Sequence, residues 1–167
     1  EPHPWVGGAL AGLASSLRAQ AEFAEAEALQ REALALNRKN LGDSHVEVAM
    51  AFNDLGRVIQ DQGRLDEAEA FYREALARYP DDHPWLFATR RNLATVLEAR
   101  GALAEAEVIH RELLARDIAT LGEENDRVAL SKALLGGVLV RLGRSTEAEP
   151  LLRQAQSVFE AKLPAEH

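Results

Sequence analysis

Four pairs of carboxylates in this chain are spaced for chemistry: Glu25 with Glu27, Glu67 with Glu69, Glu105 with Glu107 and Glu147 with Glu149, each pair flanking one alanine. Carboxylates set this close could act as general acid and base, or hold a hard cation between them. Their neighbours argue for structure instead. Glu27, Glu69, Glu107 and Glu149 each precede an arginine by four residues, at Arg31, Arg73, Arg111 and Arg153. Glutamate followed by arginine at i, i+4 is the favourable order along a helix surface, worth about 0.2–0.5 kcal/mol per pair. Acids in the first turn of a helix also meet the positive end of its macrodipole. The motif therefore reads as helix scaffolding.

The remaining reactive side chains form no constellation. His3, His45 and His83 stand at the expected helix starts, one before each of the first three copies of the motif. Stacked helices lie about 8–10 Å apart, whereas a shared ion needs ligands at about 2 Å, so capping or packing is the expected role. His110 falls mid-helix on a face turned toward neighbours and is expected to be a partly buried core residue. Ser15, Ser16, Ser131 and Ser157 lack a Gly-x-Ser-x-Gly context, which removes the nucleophile elbow of a hydrolase. Gly7-Gly8 and Gly136-Gly137 lie in or beside helical patterns, away from the strand-to-helix turn a phosphate loop requires. No catalytic residue, cofactor site or metal site is expected, and the chain reads as noncatalytic.

Composition narrows the class further. Of 167 residues, 47% are hydrophobic but only 5% aromatic, the palette of Ala, Leu and Val in closely packed helices. A formal charge of −8 argues against a nucleic-acid surface, because phosphate binding depends on Lys and Arg releasing counterions. The absence of cysteine excludes disulfides and thiolate chemistry and leans toward a cytoplasmic home. No apolar run reaches the roughly 18 residues that a membrane span requires, and Glu1-Pro2-His3-Pro4-Trp5 does not look like a signal-peptide start.

The elements that position these residues follow from the motif's own period. The alanines Ala26, Ala68, Ala106 and Ala148 are separated by 42, 38 and 42 residues, a periodicity of stacked supersecondary units. Units of approximately 3–44, 45–82, 83–124 and 125–166 result, each broken at Ala21, Gly63, Gly101 or Gly143 into two helices. Glycine at three breaks suits a left-handed residue after a helix; Ala21 at the first predicts a strained or differently shaped turn. Before the break, Leu55 and Ile59 match Leu13 and Leu17, and Leu93, Leu97, Leu135 and Leu139 hold the same places, giving one apolar stripe at i, i+4. After it, Leu65, Ala68, Phe71, Tyr72, Ala75 and Leu76 form a second stripe, echoed by Leu103, Ala106, Ile109, Leu113 and Leu114. Ser44-His45-Val46-Glu47 has capping-box spacing with Ser44 as cap, and Asp82 stands where an N-cap belongs before His83-Pro84.

Small residues at Ala14, Gly56, Ala94 and Gly136, the leucine before each, the alanine twelve positions on, and the further small position at Ala33, Ala75 and Ala155 carry a resemblance over essentially the whole chain. The sequence resembles the tetratricopeptide repeat (TPR) family in its roughly 42-residue form, found in kinesin light chains and in bacterial signalling proteins. Leu113 departs at the last small position, and the second unit is four residues short. The resemblance implies an all-α, right-handed superhelical solenoid of four antiparallel helix pairs. The whole of 1–167 is read as one such array. It lacks an initiator methionine, and Leu163-Pro164-Ala165-Glu166-His167 mirrors the stretches ending at His45 and His83, so it reads as a fragment of a longer protein.

In such a stack the first helices line a concave groove. Counting from the small position, the groove-facing residues are Asn53, Arg57 and Gln60 in the second unit and Arg91, Asn92, Thr95 and Glu98 in the third. Arginine holds carboxylates and asparagine holds peptide amides, so these seven are the expected peptide-binding residues. The resemblance adds that Asn92 matches an asparagine that commonly contacts the ligand backbone, where the second unit carries Asp54. Arg18 and Arg141 would extend the positive line. The expected function is a protein-interaction scaffold taking a linear, acidic peptide or a partner helix, with neither nucleic acid nor membrane as partner. Two alternatives stand beside it. One is a self-associating solenoid, a homo-oligomer pairing through repeat ends that expose Leu151 and Val158; the other is a regulatory or substrate-recruiting segment of a larger signalling enzyme such as a serine/threonine kinase.

Overall fold

The structure, a computed structural model, describes residues 5–161; His3 and the terminal segment from residue 162 onward lie outside the described residues. Eight helices account for almost all of it: α1 (Trp5–Ala19), α2 (Phe23–Leu41), α3 (Val46–Asp61), α4 (Leu65–Leu76), α5 (Pro84–Ala99), α6 (Leu103–Leu121), α7 (Asp126–Arg141) and α8 (Ser145–Glu160). No strand occurs among the described residues. Consecutive helices pack as pairs, α1 with α2, α3 with α4 and α7 with α8, and α2 and α6 also pack on the helices that follow them. The helix pairs are those expected from the Glu-Ala-Glu period.

The four breaks share one geometry. Gly63, Gly101 and Gly143 have φ of 76°, 81° and 77°, and Ala21 adopts the same left-handed conformation at 64°. The residue after each donates its N–H to the carbonyl five residues back: Glu22 to Leu17, Arg64 to Ile59, Ala102 to Leu97 and Arg144 to Leu139. This is the Schellman closure, which satisfies carbonyls a helix end would otherwise leave open. Ala21 thus accepts the strain that glycine avoids elsewhere, a cost of roughly 1–2 kcal/mol for an L-residue with a Cβ.

Two helix starts differ by one residue from expectation. The cap of α3 is His45, not Ser44: its Nδ1 accepts the Glu47 N–H at 3.2 Å. At α5 the same role falls to His83, whose Nδ1 accepts the Trp85 N–H at 3.3 Å, while Asp82 remains in the preceding turn. The reason is register. The helices begin at Val46 and Pro84, so only the residue immediately before each can reach the second amide of the first turn.

The chain divides into two compact units, residues 1–96 and 97–167. In the first, Ala14, Ala26 and Val58 form a buried cluster with Leu17 and Leu29 against it. In the second, Leu114, Val128, Leu135, Leu139 and Ala148 form one cluster, and Ala129, Ala155 and Val158 another. The small positions set the helix spacing: a Cβ on Gly56 would stand 2.8 Å from the Tyr72 ring, and one on Gly136 2.7 Å from Leu152. Two stripe expectations need correction. Leu13 is 52% exposed although Leu55, Leu93 and Leu135 at the same place are buried. At the other end Val158 is buried against Ala129 and Ala155 and Leu151 is half-buried, and the exposed apolar residues of α7 and α8 include Leu130, Val140, Leu152 and Phe159.

An offset of 80 residues carries Phe23 to Leu103, Val46 to Asp126 and Leu65 to Ser145, so α2, α3 and α4 correspond to α6, α7 and α8. Only the last pair differs in length, since α4 ends before Tyr79-Pro80, where the proline ring disfavours helical geometry for the residue preceding it.

Candidate functional site

The first-helix positions come together in two polar clusters, one in each unit. In the first unit, Asn53 is at the centre. It is 2% exposed, and its Oδ1 accepts from the Thr89 hydroxyl at 3.0 Å and from Asn92 Nδ2 at 3.1 Å. Its Nδ2 donates to Asp54 Oδ1 at 3.2 Å. The expectation that Asn53 faces a groove is therefore not met: its amide is spent tying α3 to α5. It orients Asn92, which stays half-buried and whose own Oδ1 accepts no hydrogen bond among the described residues.

Arg57 is half-exposed and held by one long contact, 3.6 Å to Asp54. Burial pushes the Asp54 carboxyl above its ordinary range, against the pull of Arg57 and of the Asn53 amide. Gln60 Oε1 accepts the Tyr72 hydroxyl at 2.7 Å, so this side chain too is partly engaged. Thr95 is exposed and its hydroxyl donates to the Arg91 carbonyl at 3.1 Å, while Arg91 is half-buried. Arg18 donates to Asp61 at 2.6 Å. Arg57, Arg91, Asn92 and Thr95 are thus the positions at which this cluster meets solvent, and Gln30, buried beside Arg18 and Arg57, holds a carbonyl oxygen with no hydrogen-bond partner among the described residues.

In the second unit Glu98 is claimed from two sides. Its carboxylate is 2.7 Å from His110 Nε2 and 3.5 Å from Arg141, which also donates to the Glu98 carbonyl at 2.8 Å. His110 is buried, as expected for a core histidine. No group of three or more potential metal-ligating residues occurs among the described residues, and no described helix is long and apolar enough to cross a membrane.

The second helices carry the Glu-Ala-Glu motif as scaffold. All four i, i+4 pairs form: Arg31–Glu27 at 2.6 Å, Arg111–Glu107 at 2.7 Å, Arg153–Glu149 at 2.6 Å, and Arg73–Glu69. Two arginines at the helix breaks, absent from the sequence reading, extend them into ladders. Arg64 bridges Glu27 at 2.7 Å and Glu67 on the next helix, and Arg31 reaches Glu67 at 3.0 Å. Arg144 repeats this with Glu107 and Glu147, both at 2.7 Å. Burial works against the Glu27 charge, but hydrogen bonds from Gln62, Arg31 and Arg64 outweigh it and hold the carboxyl below the ordinary glutamate range. The sequence signal for these ladders is an arginine one residue past the left-handed glycines Gly63 and Gly143.

Known proteins place this architecture. A family model described as Tetratricopeptide repeat matches residues 6–81 and 85–161. No curated protein sequence matches the chain significantly. Among solved structures, the nearly identical TPR-like repeats of a Podosopora anserina protein assigned as a kinesin light chain are 24% identical, covering 97% of this chain and 79% of that one with a TM-score of 0.81. BtubC (BKLC) of P. vanneervenii is 21% identical over 100% of this chain and 68% of that one, with a TM-score of 0.85. The Rap conjugation gene regulator of plasmid pLS20, in complex with the Phr* peptide, is 19% identical over 96% of this chain and 44% of that one, with a TM-score of 0.69. The chain belongs to the tetratricopeptide repeat family, whose fold serves in general as a protein-interaction scaffold and is typically noncatalytic.

Proposed function

We propose that this chain, read as one array of four repeats, docks a linear acidic peptide along the first helices, with Arg57, Arg91, Asn92 and Thr95 as its contacts in the first unit. The observation that carries the reading is the Asn53–Asn92 hydrogen bond. It fixes one face of the Asn92 amide from below and leaves its oxygen to accept a peptide N–H. Arg57, restrained only by a 3.6 Å contact, can trade Asp54 for a ligand carboxylate at little cost. Gln60 lines the same face as a second amide, already half-committed to Tyr72. Glu98 is left out of the contact set, since His110 and Arg141 hold its carboxylate. A structural neighbour in complex with a peptide supports the class of ligand.

The test is a display selection of linear peptides on the full chain, followed by titration of the recovered peptide. Acid-rich sequences are expected, with affinity that weakens as salt shortens the Debye length toward about 3 Å at 1 M. Arg57→Glu with Arg91→Glu should weaken binding by about a hundredfold, the loss of two charge-assisted contacts. Full affinity in that double variant would sink the assignment.

A further inference from the structure

Two clefts that the proposed peptide surface does not use lie along α8, one against α6 and one against the α6–α7 turn and Lys132 of α7. The first, of about 490 Å³, is walled by Leu114, Ile118, Leu135, Leu139 and Leu151, with Arg111 at its rim. The second, of about 250 Å³, is lined by Glu123, Glu124, Lys132, Gln154 and Ser157. The place corresponding to the first, 80 residues earlier, is a smaller cleft of about 300 Å³ that aromatic and arginine side chains narrow. There Phe52 and Phe71 stack with centroids 6.2 Å apart, and the Arg31 guanidinium lies 5.8 Å over Phe71. Arg78 covers Phe52 at 4.8 Å and donates to Asp43, at 2.8 Å to its carboxylate and 3.1 Å to its carbonyl.

In the second unit Phe71 is replaced by Leu151, Phe52 by Lys132 and Arg78 by Val158. The groups that received them are kept: Arg111 in place of Arg31 and Glu123 in place of Asp43. The second unit therefore lacks two rings, those of Phe52 and Phe71, and two guanidinia, those of Arg78 and of Arg38, whose place is taken by Ile118. The charges at the two ends complement what is missing. Glu123 is answered only by Lys132 at 3.2 Å and Glu124 makes no ion pair among the described residues, which leaves an acidic excess at that end. At the other end a guanidinium lies ready to cover an aromatic face.

We infer that the seam along α8 docks an amphipathic helix of a partner protein, which inserts an aromatic side chain beneath Arg111 and sets an arginine on Glu123 and Glu124. Helix α8 gives the spacing. Leu151 lines the first cleft and Val158 the second, seven residues apart, two helical turns or about 10.5 Å. A partner helix lying in the seam meets both clefts from one face with residues at i and i+7.

The probe is an acetylated, amidated alanine–glutamine helical peptide carrying one phenylalanine and, seven positions later, one arginine, titrated into the full isotope-labelled chain. Saturable amide shifts are expected at Ala115, Ile118, Leu151 and Gln154. Replacing the peptide's phenylalanine by alanine, or its arginine by glutamate, should weaken binding at least about tenfold. Leu151→Phe with Lys132→Phe returns the first unit's rings to the seam and should abolish binding. Glu123→Lys, at the exposed end, should lower affinity by a similar factor without touching the core, so the test stands even if the filled variant folds poorly. Three results would overturn the inference: no saturable shift, shifts mapping instead to Arg57, Arg91 and Asn92, or binding indifferent to both protein variants. Concentration-dependent shifts at the seam without peptide would also overturn it, making a second copy of the chain the occupant.

Discussion

The segments α2–α3–α4 and α6–α7–α8 have the same turn geometry, nearly the same helix lengths and the same arginine–glutamate ladder, yet they close their seams differently. In the first, Phe52 and Phe71 are packed under Arg31, Arg38 and Arg78. In the second, the equivalent residues are Lys132, Leu151 and Val158, and a larger apolar cleft remains open. The first helices show a second contrast at the same offset. Arg18–Asp61 in one unit is Glu98–Arg141 in the other, the same pair of positions with the charges exchanged. What is held constant is the skeleton of left-handed breaks and small residues that sets helix spacing. What varies is the side chains that such spacing leaves room for, and specificity belongs there.

Exchanging the seam residues is the strongest way to break this contrast. Phe52→Lys gives the first unit the second unit's residue, removing a buried ring and placing a third cation beside Arg38 and Arg78, which already share Asp43. We expect a loss of about 3–5 kcal/mol in urea unfolding, the scale of removing a buried phenylalanine. A loss under about 1 kcal/mol would mean that the aromatic packing does not close the seam.

The small positions sharpen the comparison at a smaller scale. Gly56 and Gly136 occupy the same register, and in both a helical glycine replaced by alanine gains about 0.8–1 kcal/mol of helix propensity. Their neighbours differ. Tyr72, against Gly56, is fully buried and hydrogen-bonded to Gln60, whereas Leu152, against Gly136, is 36% exposed and free to swing. Gly56→Ala should therefore cost about 1–2 kcal/mol net through overpacking, and Gly136→Ala should stay within about 0.5 kcal/mol of wild type. Equal effects in thermal unfolding would show that neighbour rigidity does not decide the outcome.

The period of Glu-Ala-Glu made helix pairs, breaks and small positions legible in the sequence because those depend on residues close along the chain. Features that depend on which side chain arrives from another helix were not. Arg64 and Arg144 reach Glu27 and Glu107 across 37 residues, a distance no local pattern reports. Asn53 read as groove-facing because helical spacing alone cannot tell a polar residue at the groove from one that bonds a neighbouring helix. The seams carry no signal of their own in the sequence, since Lys132 and Leu151 look unremarkable until Phe52 and Phe71, 80 residues earlier, show what could stand there.

The smallest expected effect concerns a place where the two ladders differ. Glu27 accepts from Gln62 at 2.7 Å as well as from its arginines, and the position matching Gln62 in the second unit is Leu142. A carboxyl held below its unfolded value of 4.5 binds protons less readily in the folded state, so its contribution is complete above that pH and is lost as pH falls through the folded value. Gln62→Leu should thus lower stability by under about 1 kcal/mol at neutral pH, and the gap to wild type should close below about pH 4.5 as Glu27 takes up its proton. Asp43 and Glu147 are also held low, by hydrogen bonds from Arg38 and Arg78 and from Arg144, so the whole chain weakens in acid. Only the difference between the two proteins isolates Gln62. A gap of the same size at pH 3 and pH 7 would mean that Gln62 supports the fold by packing, and that the two ladders are electrostatically equivalent after all.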